Sequence, residues 1–81
     1  MSTSAVSLDP TAIDVDVSDT LLRITLADGR EVAAPLAWFP RLRDATPEQR
    51  KHWRLIGRGV GIHWPDVDED VSVRGLLGLP T

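Results

Sequence analysis

Cysteine is absent from the 81 residues, which excludes disulfides, thiolate nucleophiles and cysteine zinc sites. Tyrosine is absent too, and three tryptophans and one phenylalanine carry all the aromatic surface. No apolar run approaches the roughly 18 residues that span a bilayer. Met1 to Pro10 has neither the basic head nor the apolar stretch of a signal peptide. The expectation is therefore a cytosolic chain without membrane contact. Length is also short: one small domain, burying about 63% of its extended surface, has room for a core but not for a deep cavity inside it. Six prolines and six glycines point to short elements joined by many turns.

The net charge of −3 conceals three blocks. Residues 1–35 carry −4, residues 36–61 carry +4 through Arg41, Arg43, Arg50, Lys51, Arg54 and Arg58, and residues 62–81 carry −3. An acidic whole repels phosphate, so a general polyanion binder is disfavoured. A local basic patch remains able to meet an acidic partner. The bland alternative is that the middle and last blocks face each other and neutralise internally.

Residues 1–10 read as a flexible tail and residues 11–81 as a single domain. Ile13, Val15 and Val17 alternate with Asp14 and Asp16, the pattern of a half-buried strand. Leu22, Ile24 and Leu26 repeat the pattern, and Asp28-Gly29 is a hairpin signal. Val32, Ala34 and Leu36 continue the inward face on a strand that must end by Pro35. Thr46-Pro47-Glu48-Gln49 predicts an N-cap, a proline at the first helical position and a capping-box glutamine. The helix is expected from Pro47 to about Ile56, with Gln49, Trp53 and Ile56 inward, Arg50 outside that stripe, and a stop at Gly57. Val60, Ile62 and Trp64 predict a fourth strand. Ser72 is a plausible N-cap for a last turn, Val73–Leu77. The sum is an α+β fold: an antiparallel sheet of three to four strands, one main helix packed on one face, and a short C-terminal helical turn.

Sites are few. Asp66-x-Asp68-x-Asp70 resembles the opening of a calcium loop, but Val71 replaces the glycine and Leu77 the bidentate glutamate. His52 and His63 match no zinc spacing; a site completed by Asp66 or Asp68 competes with a simple hydrogen bond from His63 to a nearby acid. Ser72 lacks a nucleophile-elbow context. Gly57, Gly59 and Gly61 match neither the dinucleotide fingerprint nor a phosphate loop, and read as a helix stop plus a turn. No catalytic set and no cofactor is expected. Trp53 and Trp64 are expected in the core. Trp38 and Phe39, beside Arg41 and Arg43, offer a partner-facing patch of the residue types that anchor interfaces.

The segments Pro35-Leu36-Ala37-Trp38-Phe39-Pro40-Arg41-Leu42 and Ala45-Thr46-Pro47-Glu48-Gln49-Arg50 resemble one bacterial family. Gly61-Ile62-His63-Trp64-Pro65-Asp66-Val67-Asp68-Glu69-Asp70-Val71-Ser72-Val73 does so too. The chain is similar, over about residues 13–78, to the domain-of-unknown-function family DUF2442. The resemblance implies a small α+β domain of the bacterial cytosol, one whose members often sit beside another small gene in what has been proposed to be a toxin–antitoxin pair. Some relatives carry an appended helix-turn-helix domain; this chain ends at Thr81, which weakens the case for operator binding.

Three functional readings follow. The first is a non-enzymatic interaction module, the antitoxin-like half of such a pair. Its partner would be a small protein encoded next door, met through Trp38, Phe39, Arg41, Arg43 and the acids Asp66, Asp68, Glu69 and Asp70, which could cover a basic active site. The second is a nucleic-acid-binding regulator using the basic segment 41–58, with Arg50, Lys51, Arg54 and Arg58 as contacts. The third is a small metal-binding or enzymatic domain using His63, Asp66 and Asp68. A sheet edge also gives a route to a homodimer.

Overall fold

The computed structural model describes residues 8–78. Most of the expected tail, residues 1–7, lies outside the described residues. The first part of the fold is an antiparallel meander of β1 (Ala12–Val17), β2 (Leu21–Leu26) and β3 (Glu31–Pro35), in that spatial order. A 3-10 turn (Leu36–Trp38) and two short helices, α1 (Pro40–Arg43) and α2 (Pro47–Lys51), lead out of it. A second antiparallel meander follows, β4 (Arg54–Ile56), β5 (Gly61–Trp64) and β6 (Glu69–Ser72), and α3 (Val73–Leu76) comes after it. The fold is α+β, but its strands divide into two three-stranded sheets where one sheet of three to four strands was expected.

The single main helix is the larger correction. The capping box forms: Gln49 N donates to Thr46 Oγ1 at 3.1 Å, and Thr46 N donates to Gln49 Oε1 at 3.0 Å. The helix nevertheless ends at Lys51, because His52 adopts φ −91° and ψ 69°. From there the chain is extended, and Trp53, Arg54, Leu55 and Ile56 alternate between half-buried and exposed. Arg54, Leu55 and Ile56 pair with His63, Ile62 and Gly61. Strand pairing wins here because β5 buries Ile62 and Trp64 completely and so needs a hydrogen-bonded neighbour on each side. A helix running on to Ile56 would leave β5 paired on one side only. The glycine-rich stretch is thus a hairpin loop rather than a helix stop, with Gly57, Arg58 and Gly59 all at positive φ. Gly59 (φ +94°) is confined further, since a Cβ there would lie 2.5 Å from the carbonyl oxygen of Ala12. The loop of the second sheet rests on the backbone of the first.

In β1 the expected alternation is broken by a bulge. Ala12 pairs with Leu26 and Asp14 with Thr25, so Ile13 is skipped. Ala12 and Val15 face the core and Ile13 is 58% exposed. Val60, expected inward, also lies outside any strand and is exposed. Leu22, Ile24, Leu26, Leu36, Leu42, Ile62 and Trp64 are fully buried and form one cluster from both sheets and α1. Trp53, expected in that core, is half-buried against it. Ser72 caps α3 as anticipated, accepting from Gly75 N at 3.1 Å.

The hairpin between β2 and β3 is held by Asp28. Its carboxylate accepts from Arg30 N at 3.0 Å, from Arg30 Nε at 2.9 Å and from Asp9 N at 2.9 Å. The Arg30 side chain, helped by these backbone donors, pulls the Asp28 carboxyl down to about 2. A depressed carboxyl stabilises the fold above its unfolded value and loses that contribution as pH falls through the folded one. The melting temperature should therefore drop between pH 4 and pH 2, and Asp28→Asn should flatten part of that drop while lowering the melting temperature at pH 7. Melting followed by circular dichroism across this range checks both.

Candidate functional site

Prolines 35 and 40 bracket the segment that carries Trp38. Leu36 and Leu42 are buried on either side of it, and Phe39 packs half-buried against the core. With its neighbours anchored, the 3-10 turn throws Trp38 outward, where it is 66% exposed. From α1, Arg41 reaches across and donates to the carbonyl oxygen of Asp68 at 2.5 Å. Arg43 is engaged locally: its guanidinium bonds Asp44 at 3.1 Å and holds that carboxyl below the usual range. Arg41 thus reaches toward the β5–β6 hairpin, while Arg43 is paired with its neighbour Asp44; both stay exposed.

The acids Asp66, Asp68, Glu69 and Asp70 occupy the β5–β6 hairpin rather than a loop before a helix. Asp68 stands in the turn with φ 53°, and Glu69 opens β6. Asp66 Oδ2 lies 2.9 Å from His52 Nδ1, and Asp70 Oδ1 lies 2.5 Å from His63 Nδ1. Each imidazole is therefore engaged with an acid of this segment, including the simple hydrogen bond expected of His63. Between the middle and last blocks the contacts are His52 with Asp66 and Arg41 with the Asp68 carbonyl, whereas Arg43 pairs with Asp44 inside its own block and Arg50 with Asp19 of the first. The set His63, Asp66 and Asp68 is not brought together, since His63 turns to Asp70 and Asp66 to His52. Among the described residues no group of three His, Cys, Asp or Glu could hold a metal ion.

Two depressions flank β6. One, of about 440 Å³, has an apolar floor of Ile56, Val60, Gly61 and Val71. The other, of about 340 Å³, lies between Trp38 and Phe39 on one side and Val71, Gly75 and Leu76 on the other. Asp70, Val71 and Ser72 line both, so β6 is the ridge between them. Neither Ile56 nor Val60 was singled out in the sequence as a surface residue. Their exposure follows from the hairpin that replaces the end of the expected helix.

Kinship is decided by the whole domain. Residues 12–79 match the family model described as "Protein of unknown function (DUF2442)". The chain belongs to the DUF2442 family. No protein of curated description matches it. A crystal structure of a protein of unknown function from Rhodospirillum rubrum ATCC 11170 is similar, with 29% identity and a TM-score of 0.70. The alignment covers 85% of this chain and 87% of that one. No helix among the described residues of this DUF2442 domain is long and apolar enough to cross a membrane.

The basic segment of the domain is dispersed. Lys51 lies on α2, Arg54 on β4 and Arg58 in the β4–β5 loop, all exposed. Arg50, expected beside them as a nucleic-acid contact, is only 9% exposed. Its Nε donates to Leu42 O at 3.0 Å, one terminal nitrogen to Arg43 O at 2.8 Å and the other to Asp19 Oδ1 at 2.8 Å. Its own carbonyl accepts from Trp64 Nε1 at 3.1 Å. The planar fork of a guanidinium suits this three-way role, which the compact ammonium of lysine does not reproduce. No periodicity marks Arg50 in the sequence, because its partners lie in other elements.

Arg50→Ala should destabilise the domain by roughly 2–4 kcal/mol, since the Arg43 carbonyl loses its guanidinium donor, Leu42 O keeps only backbone donors such as Ala45 N, and the packing of the buried side chain is lost. Arg50→Lys should recover less than half of this. Asp19→Asn should cost under about 1 kcal/mol, because the Asp19 side chain is 92% exposed. Urea denaturation midpoints of the three variants check the order.

Proposed function

We infer that this DUF2442 domain is a non-enzymatic interaction module of the bacterial cytosol that binds a small basic protein through the face formed by Trp38 and β6. The observation that carries the reading is Trp38 itself: a large aromatic, 66% exposed, standing over the groove shared with Phe39, Val71 and Leu76. Exposing such a side chain forgoes a burial worth roughly 2 kcal/mol or more, which a partner recovers on binding. A tryptophan on the wall of an open groove is of the residue type that anchors protein interfaces. The rim is acidic, with Asp68, Glu69 and Asp70 on the same hairpin, and this selects a basic partner and speeds its approach. An antitoxin-like role, covering the basic active site of a small RNA-cutting partner, is the form of this activity that the family resemblance suggests.

Tagged full-length protein purified from its native host is the test. One small basic protein should co-purify in stoichiometric amount, and Trp38→Ala should reduce its recovery at least about tenfold while leaving the melting temperature within a few degrees. Equal recovery with Trp38→Ala, or no companion protein, would overturn the reading. Co-purifying nucleic acid, lost steeply with salt, would point instead to Lys51, Arg54 and Arg58.

A further inference from the structure

We propose that the outer edge of β6 receives an extended, basic peptide segment as a fourth strand of the second sheet. The proposal rests on the interaction reading above and specifies how the partner is held. In the order β4-β5-β6, β6 has a neighbour on one side only. An edge strand presents a row of backbone donors and acceptors that a further strand can pair. Along such a strand the bonding direction alternates from one residue to the next. Val73 N donates back to Val60 O at 3.1 Å, which sets the odd-numbered positions inward and Asp70 and Ser72 outward, and the Asp68 carbonyl in the preceding turn is turned away from β5 to Arg41.

Two of those outward groups are held by side chains. The Asp68 carbonyl accepts from the Arg41 guanidinium, and the Asp70 N–H donates to the Glu69 carboxylate at 3.0 Å. Arg41 is exposed and Glu69 half-buried, and neither belongs to the apolar core, so an incoming backbone displaces their side chains without disturbing it. They match the way native proteins blunt an edge that would otherwise pair indiscriminately. The other edges are less accessible: β1 is approached at Ala12 by Gly59, β3 ends in Pro35, and β4 has only three residues.

The flanks of β6 fit an added strand. Its side chains would alternate in direction, and the two depressions lie on either side of Asp70, Val71 and Ser72. The floor at Ile56 depends on Gly61, where a Cβ would stand 3.0 Å from Ile56 Cγ1. Charge then selects the occupant. A second copy of this chain would set acids against acids across the new pair, which is destabilising. A segment alternating apolar with basic residues places its apolar side chains in the depressions and its cations beside Asp68, Glu69 and Asp70.

The probe is a short acetylated peptide alternating lysine with valine, titrated into the isotope-labelled full chain and followed by backbone amide shifts. Shifts should concentrate at Asp68–Ser72. The same peptide N-methylated at every second residue, which removes donors while keeping side chains and charge, should bind at least about tenfold more weakly. Arg41→Ala uncovers the Asp68 carbonyl and should tighten binding about fivefold, whereas Arg43→Ala, an equal change of charge on the same helix, should alter it less than about twofold. Absence of binding, shifts centred elsewhere, equal binding of the N-methylated peptide, or equal effects of the two arginine variants would each overturn strand addition. A native partner lost with Trp38→Ala but indifferent to Arg41→Ala would leave the interaction reading standing and remove this one.

Discussion

The guanidinium of Arg50 is bonded to the carbonyls of Leu42 and Arg43 at the end of α1 and to Asp19 in the β1–β2 turn. The backbone of the same residue accepts from the indole of Trp64, the largest buried side chain of the second sheet. One residue therefore joins the first sheet, both middle helices and the second sheet. A helix of five residues such as α2 has little stability of its own, so tertiary contacts of this kind hold it in place. A charge is costly to bury unless its donors find acceptors, and here the donors of the fork are divided between the end of α1 and the β1–β2 turn. The arrangement fixes the orientation of these elements more narrowly than apolar contact alone, which is non-directional.

That fixed orientation is what exposes the surface. With Leu36 and Leu42 drawn into the core on either side, the connection between them has no inward room left for Trp38. With Trp64 docked under Arg50, β5 is held with β4 on one side and β6 on the other, and the acidic hairpin emerges beside the 3-10 turn. Arg41 and His52 then reach the hairpin from the two helices, at the Asp68 carbonyl and the Asp66 carboxylate. Two contacts between the middle and last blocks thus gather at this hairpin, with an apolar depression on each flank of β6.

Belonging to the DUF2442 family, and resembling a Rhodospirillum rubrum structure at a TM-score of 0.70, places the fold among relatives without lending a role. The functional reading therefore rests on the surface itself: an exposed tryptophan, two apolar depressions, a strand edge with Arg41 and Glu69 bonded to it, and acids around it. These features belong together physically. Backbone pairing gives a partner affinity without regard to sequence, the depressions favour particular side chains, and the acids favour one sign of charge.

The sequence by itself determined the local chemistry: the first meander from its alternation and Asp28-Gly29, the capping box at Thr46, the cap at Ser72, the burial of Trp64, and the family. Each is set by residues within a few positions of one another. Only the tertiary structure decided that α2 stops at Lys51, because the demand of β5 for a second neighbour arises eight or more residues downstream. It likewise decided the bulge that turns Ile13 outward, the burial of Arg50 and the company kept by Trp38. A period of two or of 3.6 records which face of an element is apolar; it carries no information about which distant carbonyl an arginine will meet. The candidate surface was half legible for that reason: its residue types stand in the sequence, while their assembly around one strand edge depends on how two sheets pack about a shared core.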